Sequence, residues 1–171
     1  MNKPVVVGIT GGIGGGKSTL ATMLRNLGYP VYDTDQEARR LQNEHTGLIN
    51  AISTLFGGTI YQNGELNRPA VAERVFSNPL LLQQLTALVH PVVKEDFSKW
   101  ICQQQAKIVF IESAVLLEGN FDSLTDAIIV VTASEKIRLQ RVMQRDGISP
   151  EQVKARMQHQ LPEEEKIKTL S

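Results

Sequence analysis

PVVVGITGGIGGGKSTL, residues 4–20, decides the fold of this chain. Its first seven residues, Pro4 to Thr10, form an apolar run with the make-up of a buried strand. GGIGGGKS at 11–18 then matches G-x-x-x-x-G-K-[ST], and a helical pattern from Ser18 to about Leu27 follows. Glycines let the backbone wrap closely around an anion, with successive N–H groups turned inward. The new helix adds its positive N-terminal end at the same spot. Lys17 can reach the β- and γ-phosphates, and the Ser18 hydroxyl is placed to ligate Mg²⁺. A merely flexible glycine turn needs no Lys-Ser at its end between a strand and a helix. The stretch therefore reads as a phosphate-binding P-loop for a nucleoside triphosphate with Mg²⁺.

Outward from the loop, Gly28 is placed to end the first helix, and Val31-Tyr32 reads as a short buried strand that delivers Asp33, Thr34 and Asp35. Helical patterns follow from Gln36 to Glu44 and from Thr46 to Phe56. Gly57-Gly58 and Asn63-Gly64 mark a loop or small hairpin. Three further helices are expected, about 69–76, 79–88 and 91–105, each starting at a proline. KIVFIE (107–112) and DAIIVVT (126–132) are nearly continuous apolar runs, the mark of strands covered on both faces of a parallel sheet. Ser134 starts a helix that carries Arg138, Arg141 and Arg145, and Ser149-Pro150 starts another. A charged helical tail runs from Pro162 to Lys168. Alternating strands and helices imply an α/β, three-layer fold, with ligands at the carboxyl ends of parallel strands.

Composition narrows the function. The 171 residues suffice for one core-forming domain with a small insertion, and 42% hydrophobic against 21% charged residues fits a globular chain. Lys plus Arg and Asp plus Glu both total 18, so the zero formal charge gives no support to nucleic-acid binding. Cys102 is the single cysteine, which excludes an internal disulfide and fits a reducing compartment. No run reaches membrane-spanning length and no signal peptide is visible, so a cytoplasmic location and no membrane partner are expected.

Asp33 stands where the second strand ends, on the P-loop side of a parallel sheet. A carboxylate there can accept a proton from an attacking hydroxyl or hold Mg²⁺ through water, whereas Asp35 also suits a helix cap. Arg138, Arg141 and Arg145 lie at i, i+3 and i+7, one helix face, able to clamp phosphate oxygens or else simply to be solvated. Glu112 suits three roles: a metal-side acid beside the P-loop, a partner for a lid arginine, or an orienter of the acceptor. His90, before Pro91, reads as structural, and Trp100 with Phe97 and Ile101 as helix packing.

Together these motifs resemble the dephospho-CoA kinase family over nearly the whole chain. The match runs through residues 8–19 and VYDTD (31–35), then GELNR (64–68) with Val75-Phe76 and Val89-His90-Pro91. It continues through ESAVLLE (112–118), Arg138, Arg141 and QRD (144–146). The resemblance implies transfer of the ATP γ-phosphate to the ribose 3′-hydroxyl of dephospho-CoA, the last step of coenzyme A synthesis. Asp33, Lys17 and Arg141 would be catalytic. Gly12, Ile13, Gly14, Gly15, Gly16, Lys17, Ser18, Thr19, Arg138 and Arg145 would hold ATP, with Ser18 on Mg²⁺. One P-loop kinase domain is expected: core 1–35 and 106–133, an acceptor-binding helical insertion at about 36–105, and a lid at about 134–160. A monomer or weak homo-oligomer is expected.

The chain departs from the family at Ala114, where a proline is usual, and at Asn67, where an Asp is common. Members usually continue with a further strand and helix near the adenine, so this sequence has the look of a truncated member. The other readings are a P-loop kinase for another nucleotide or small-molecule acceptor, and a nucleotide-dependent switch. The switch is disfavoured by the lack of N/T-K-x-D and D-x-x-G motifs.

Overall fold

The computed structural model describes residues 3–158 and 160–170, with the side chains of residues 163 and 170 left out. In chain order the elements begin β1 (Val5–Thr10), α1 (Lys17–Asn26), β2 (Val31–Asp33), α2 (Thr34–Glu44) and α3 (Thr46–Phe56). A hairpin of β3 (Tyr61–Gln62) and β4 (Glu65–Leu66) precedes α4 (Arg68–Phe76) and α5 (Pro79–Cys102). Then come β5 (Ile108–Glu112), β6 (Ala127–Val130), α6 (Glu135–Asp146), α7 (Pro150–Met157) and α8 (Glu163–Leu170). No helix among the described residues is long and apolar enough to cross a membrane. The chain divides into two compact units, Met1–Asp33 with Ile101–Ser171, and Thr34–Trp100.

The first unit holds a parallel sheet in the order β2-β5-β1-β6. Because β1 and β5 are the inner strands, their apolar runs are covered on both faces. Val6, Ile9, Val109 and Ile111 are wholly buried. Each such side chain contributes about 1.5–3 kcal/mol of burial. DAIIVVT was expected to be covered on both faces as well, but β6 lies at the sheet edge and Ile129 is 41% exposed. An apolar run records β propensity and cannot distinguish a central from an edge position. Gly28 ends α1 as expected: it takes φ +86° and donates to the Arg25 carbonyl.

In the second unit, Asn63 and Gly64 both take positive φ, 52° and 84°, and close the β3–β4 hairpin as an Asn-Gly pair does. His45 caps α3 by accepting from the Leu48 N–H at 3.1 Å. Arg40 joins α2 to α5 through a two-pronged contact to Asp96, 2.9 Å on each oxygen.

Two helix boundaries differ from expectation. First, α2 begins at Thr34, so Asp35 lies in its first turn, where its charge complements the helix dipole. Second, no helix starts at Pro91: α5 runs unbroken from Pro79 to Cys102, with His90 and Pro91 inside it. Leu85, Val89, Val93, Phe97 and Ile101, four residues apart, form one buried stripe across the proline, which is itself exposed. A mid-helix proline costs about 3 kcal/mol, which the burial of five apolar side chains exceeds.

Candidate active site

The loop after β1 owes its path to two glycines. A side chain on Gly11 would collide with the Val131 carbonyl just beyond β6, and one on Gly14 would come within 2.5 Å of the Arg138 carbonyl in α6. Both glycines take positive φ, 152° and 77°, so the loop lies against the end of β6 and the start of α6. The Gly15 N–H turns back to the Gly12 carbonyl at 3.0 Å. Gly16 is the N-cap of α1, with no side chain to occupy the first-turn N–H groups, and no acidic residue lies in that turn. The helix start is thus left open to an anion. Lys17 is buried to 9% exposure, and its Nζ donates to the Gly12 carbonyl at 3.3 Å. The ammonium is held across its own loop, where phosphate oxygens would meet it.

The Ser18 hydroxyl is exposed and makes no hydrogen bond among the described residues. A hard oxygen donor at this point suits Mg²⁺. No group of three or more His, Cys, Asp or Glu is gathered to hold a metal among those residues.

Asp33 and Glu112 meet at the carboxyl edge of the sheet. They are Cα partners in the β2–β5 ladder, and Glu112 is in turn the partner of Ile9 in β1, the residue before Thr10 and the loop. Parallel neighbours in register point to the same face, so the two carboxylates share one side of the sheet. Glu112 is buried and Asp33 half-buried.

The three arginines of α6 do not act alike. Arg141 Nη1 donates to the Gly14 carbonyl at 3.3 Å and so touches the P-loop directly. Arg138 is half-buried, and its Nε donates to the Ala133 carbonyl at 3.2 Å. Arg145 turns to its neighbour Asp146, with bonds of 2.6 and 3.0 Å, while Arg156 of α7 takes the same carboxylate at 2.8 Å. The Arg145 hydrogen bond holds the Asp146 carboxyl below its usual range, and Asp146 raises Arg145 in turn. Arg145 and Asp146 brace the α6–α7 turn, so only Arg138 and Arg141 adjoin the loop. A cavity of about 430 Å³ opens beside Arg138, lined also by Glu135, Lys154, Gln158 and Gln160 among others.

A tether between the P-loop and the C-terminal segment carried no local signal in the sequence. Gln160 Oε1 accepts from the Ile13 N–H at 3.1 Å, across 147 residues. The segment is fixed by Lys166, wholly buried, whose Nζ donates to the Ala114 carbonyl at 2.8 Å and pairs with Glu118 Oε1 at 3.2 Å. The same Glu118 oxygen accepts from the Leu161 N–H at 3.2 Å. Glu118 closes the ESAVLLE motif, whose spacing hinted at importance but not at this partner. The alanine at 114 presents the same carbonyl that a proline would.

The dephospho-CoA kinase sequence model matches residues 5–170. A dephospho-CoA kinase of Porphyromonas gingivalis is 44% identical over 154 residues, covering 90% of this chain and 76% of the relative. One from Thermus thermophilus is 40% identical over 165 residues, 96% of this chain and 79% of the relative. Among solved structures, a Thermus thermophilus protein matches with TM-score 0.85 and 40% identity, covering 98% of this chain and 85% of the other. The dephospho-CoA kinase of Campylobacter jejuni matches with TM-score 0.67 and 26% identity, over 97% and 85%. With its P-loop, its parallel sheet and a family match from residue 5 to residue 170, the chain belongs to the dephospho-CoA kinase family.

Proposed function

We infer that the chain transfers the γ-phosphoryl group of ATP to the ribose 3′-hydroxyl of dephospho-CoA, yielding coenzyme A and ADP. The observation that carries the chemical reading is the register of Asp33 with Glu112, one strand from the strand that feeds the P-loop. In this reading Asp33 orients the 3′-hydroxyl and takes its proton as the oxygen bonds to the γ-phosphorus. The bond from that phosphorus to the β,γ-bridging oxygen breaks, and ADP leaves. Lys17 and the first-turn N–H groups of α1 hold the β- and γ-oxygens, and Arg141 meets the charge that spreads over the transferring group. Ser18 would hold Mg²⁺, which neutralises phosphate charge when bound. Gly12 to Thr19 and Arg138 complete the ATP site, whereas the Asp146 contact draws Arg145 away from it.

The test is ADP release by the full chain with dephospho-CoA, AMP and other hydroxyl acceptors supplied in turn. Strong release with dephospho-CoA alone supports the assignment. Equal or better use of AMP would move the chain to another kinase specificity, and acceptor-independent hydrolysis would favour a switch.

A further inference from the structure

The P-loop is braced at one peptide unit, and the brace comes from the far end of the chain. The Gly12–Ile13 unit is planar, so its N–H and its carbonyl point in opposite directions and turn together. Its carbonyl accepts from Lys17 Nζ at 3.3 Å and from the Gly15 N–H at 3.0 Å. Its N–H donates to Gln160 Oε1 at 3.1 Å. One rigid plane is thus gripped on both edges, by its own loop on one and by Gln160 on the other. Gly12 has no side chain to fix the direction of this plane, so the hydrogen bonds fix it. A tilt that lost Gln160 would carry the carbonyl, and with it the Lys17 ammonium, away from the place where phosphate oxygens meet it.

Gln160 is itself well seated. Its own N–H closes on the Met157 carbonyl at 3.1 Å, just past α7, and the next N–H, that of Leu161, donates to Glu118 Oε1 at 3.2 Å. Lys166, wholly buried, holds the same Glu118 oxygen at 3.2 Å. The side chain therefore leaves a backbone anchored on both sides, and reaching Ile13 costs little further ordering. The residue type matters as well. Ile13 and Gln160 are both half-buried, so the N–H between them needs an acceptor. An amide oxygen supplies one without charge, whereas a carboxylate beside a loop that holds phosphate would repel the ligand.

We propose that Gln160 is a positioning residue of the phosphate site: it aims the Gly12–Ile13 peptide and, through that carbonyl, Lys17. Its effect on catalysis rests on the kinase reading above; its effect on the loop does not. Three measurements on the full chain separate them. In amide hydrogen exchange followed by NMR, Gln160→Met, which keeps the length but has no acceptor, should lose protection at the Ile13 N–H while the β1 amides stay protected as in the parent. Gln160→Glu, which keeps an acceptor at the same reach, should keep Ile13 protected. In calorimetry, Gln160→Met should weaken inorganic tripolyphosphate, which has no base or ribose, and ATP by a similar factor, roughly ten- to a hundredfold. In steady-state kinetics, kcat/KM for ATP should fall by that factor, with the KM for dephospho-CoA within about twofold. If the parent chain does not phosphorylate dephospho-CoA but the exchange and tripolyphosphate results hold, the positioning role stands and the kinase reading falls. Parent-like protection of Ile13 in Gln160→Met would overturn the role. So would tripolyphosphate binding that stays parent-like, whether ATP binding falls with it or not, because Gln160 would then touch only the nucleoside or serve as packing.

Discussion

At the scale of single residues, Asp33 separates a phosphotransferase from a nucleotide-binding module. Asp33→Asn keeps size and hydrogen bonding but removes charge and basicity, an effect felt mainly in the transition state. Turnover of dephospho-CoA is expected to fall by roughly two to four orders of magnitude, with ATP affinity by calorimetry nearly unchanged; parent-like turnover would reduce Asp33 to a strand end. The arginines of α6 make a second prediction. Arg141 touches the Gly14 carbonyl, whereas Arg145 is occupied by Asp146. Arg141→Ala should therefore cost at least tenfold in kcat/KM for ATP, about 1.4 kcal/mol, and Arg145→Ala much less. Equal losses would return all three arginines to a single nucleotide-facing stripe. His90 gives a pH signature. Burial, then Lys94, lowers its pKa from 6.5, so the fold favours the neutral ring. Above about pH 6.5 the ring is neutral whether folded or not. Below it the unfolded chain binds the proton first, so stability falls as pH drops towards the folded-state value. Melting curves from pH 7.5 to 5.5 should show this decline, and His90→Gln should flatten it.

Among the elements, α8 illustrates how a short charged helix can serve a distant loop. Lys166 is wholly buried between the Ala114 carbonyl and Glu118, and the Leu161 N–H shares that carboxylate. Removing one partner of a buried pair leaves an uncompensated charge and costs about 3 kcal/mol or more. Lys166→Met should accordingly lower the melting temperature by roughly 6–12 °C for a chain of this size. It should also weaken ATP binding, because the segment that carries Gln160 to the Ile13 N–H would lose its anchor. A drop in melting temperature with unchanged ATP affinity would leave α8 a packing element only. In α5 the lesson is about competing signals. Pro91 reads locally as a helix start, but the buried stripe from Leu85 to Ile101 continues in four-residue steps through it, and packing decided the outcome.

For the whole molecule, the sheet edge matters most. β6 lies at the end of the order β2-β5-β1-β6, with no strand beyond it among the described residues, and Ile129 is well exposed on it. An apolar edge without charge or proline invites pairing with other chains. Ile129→Lys should raise the concentration at which light scattering reports association, with little change in melting temperature; unchanged scattering would show that the edge is not the sticky surface. The sequence by itself determined the strand–loop–helix of residues 4–27, the alternation of strands with helices, the caps at Ser134 and Ser149, and the family. Each of these rests on interactions between residues a few positions apart, where glycine, periodicity and capping chemistry act. Only the tertiary structure decided that Arg141 rather than Arg145 meets the loop, that β6 is an edge, and that Gln160 ties down Ile13. Those contacts join residues far apart in the chain, such as the 147 positions between Ile13 and Gln160. No local propensity encodes them, because they form only where packing brings two surfaces together and burial makes an unpaired polar group costly.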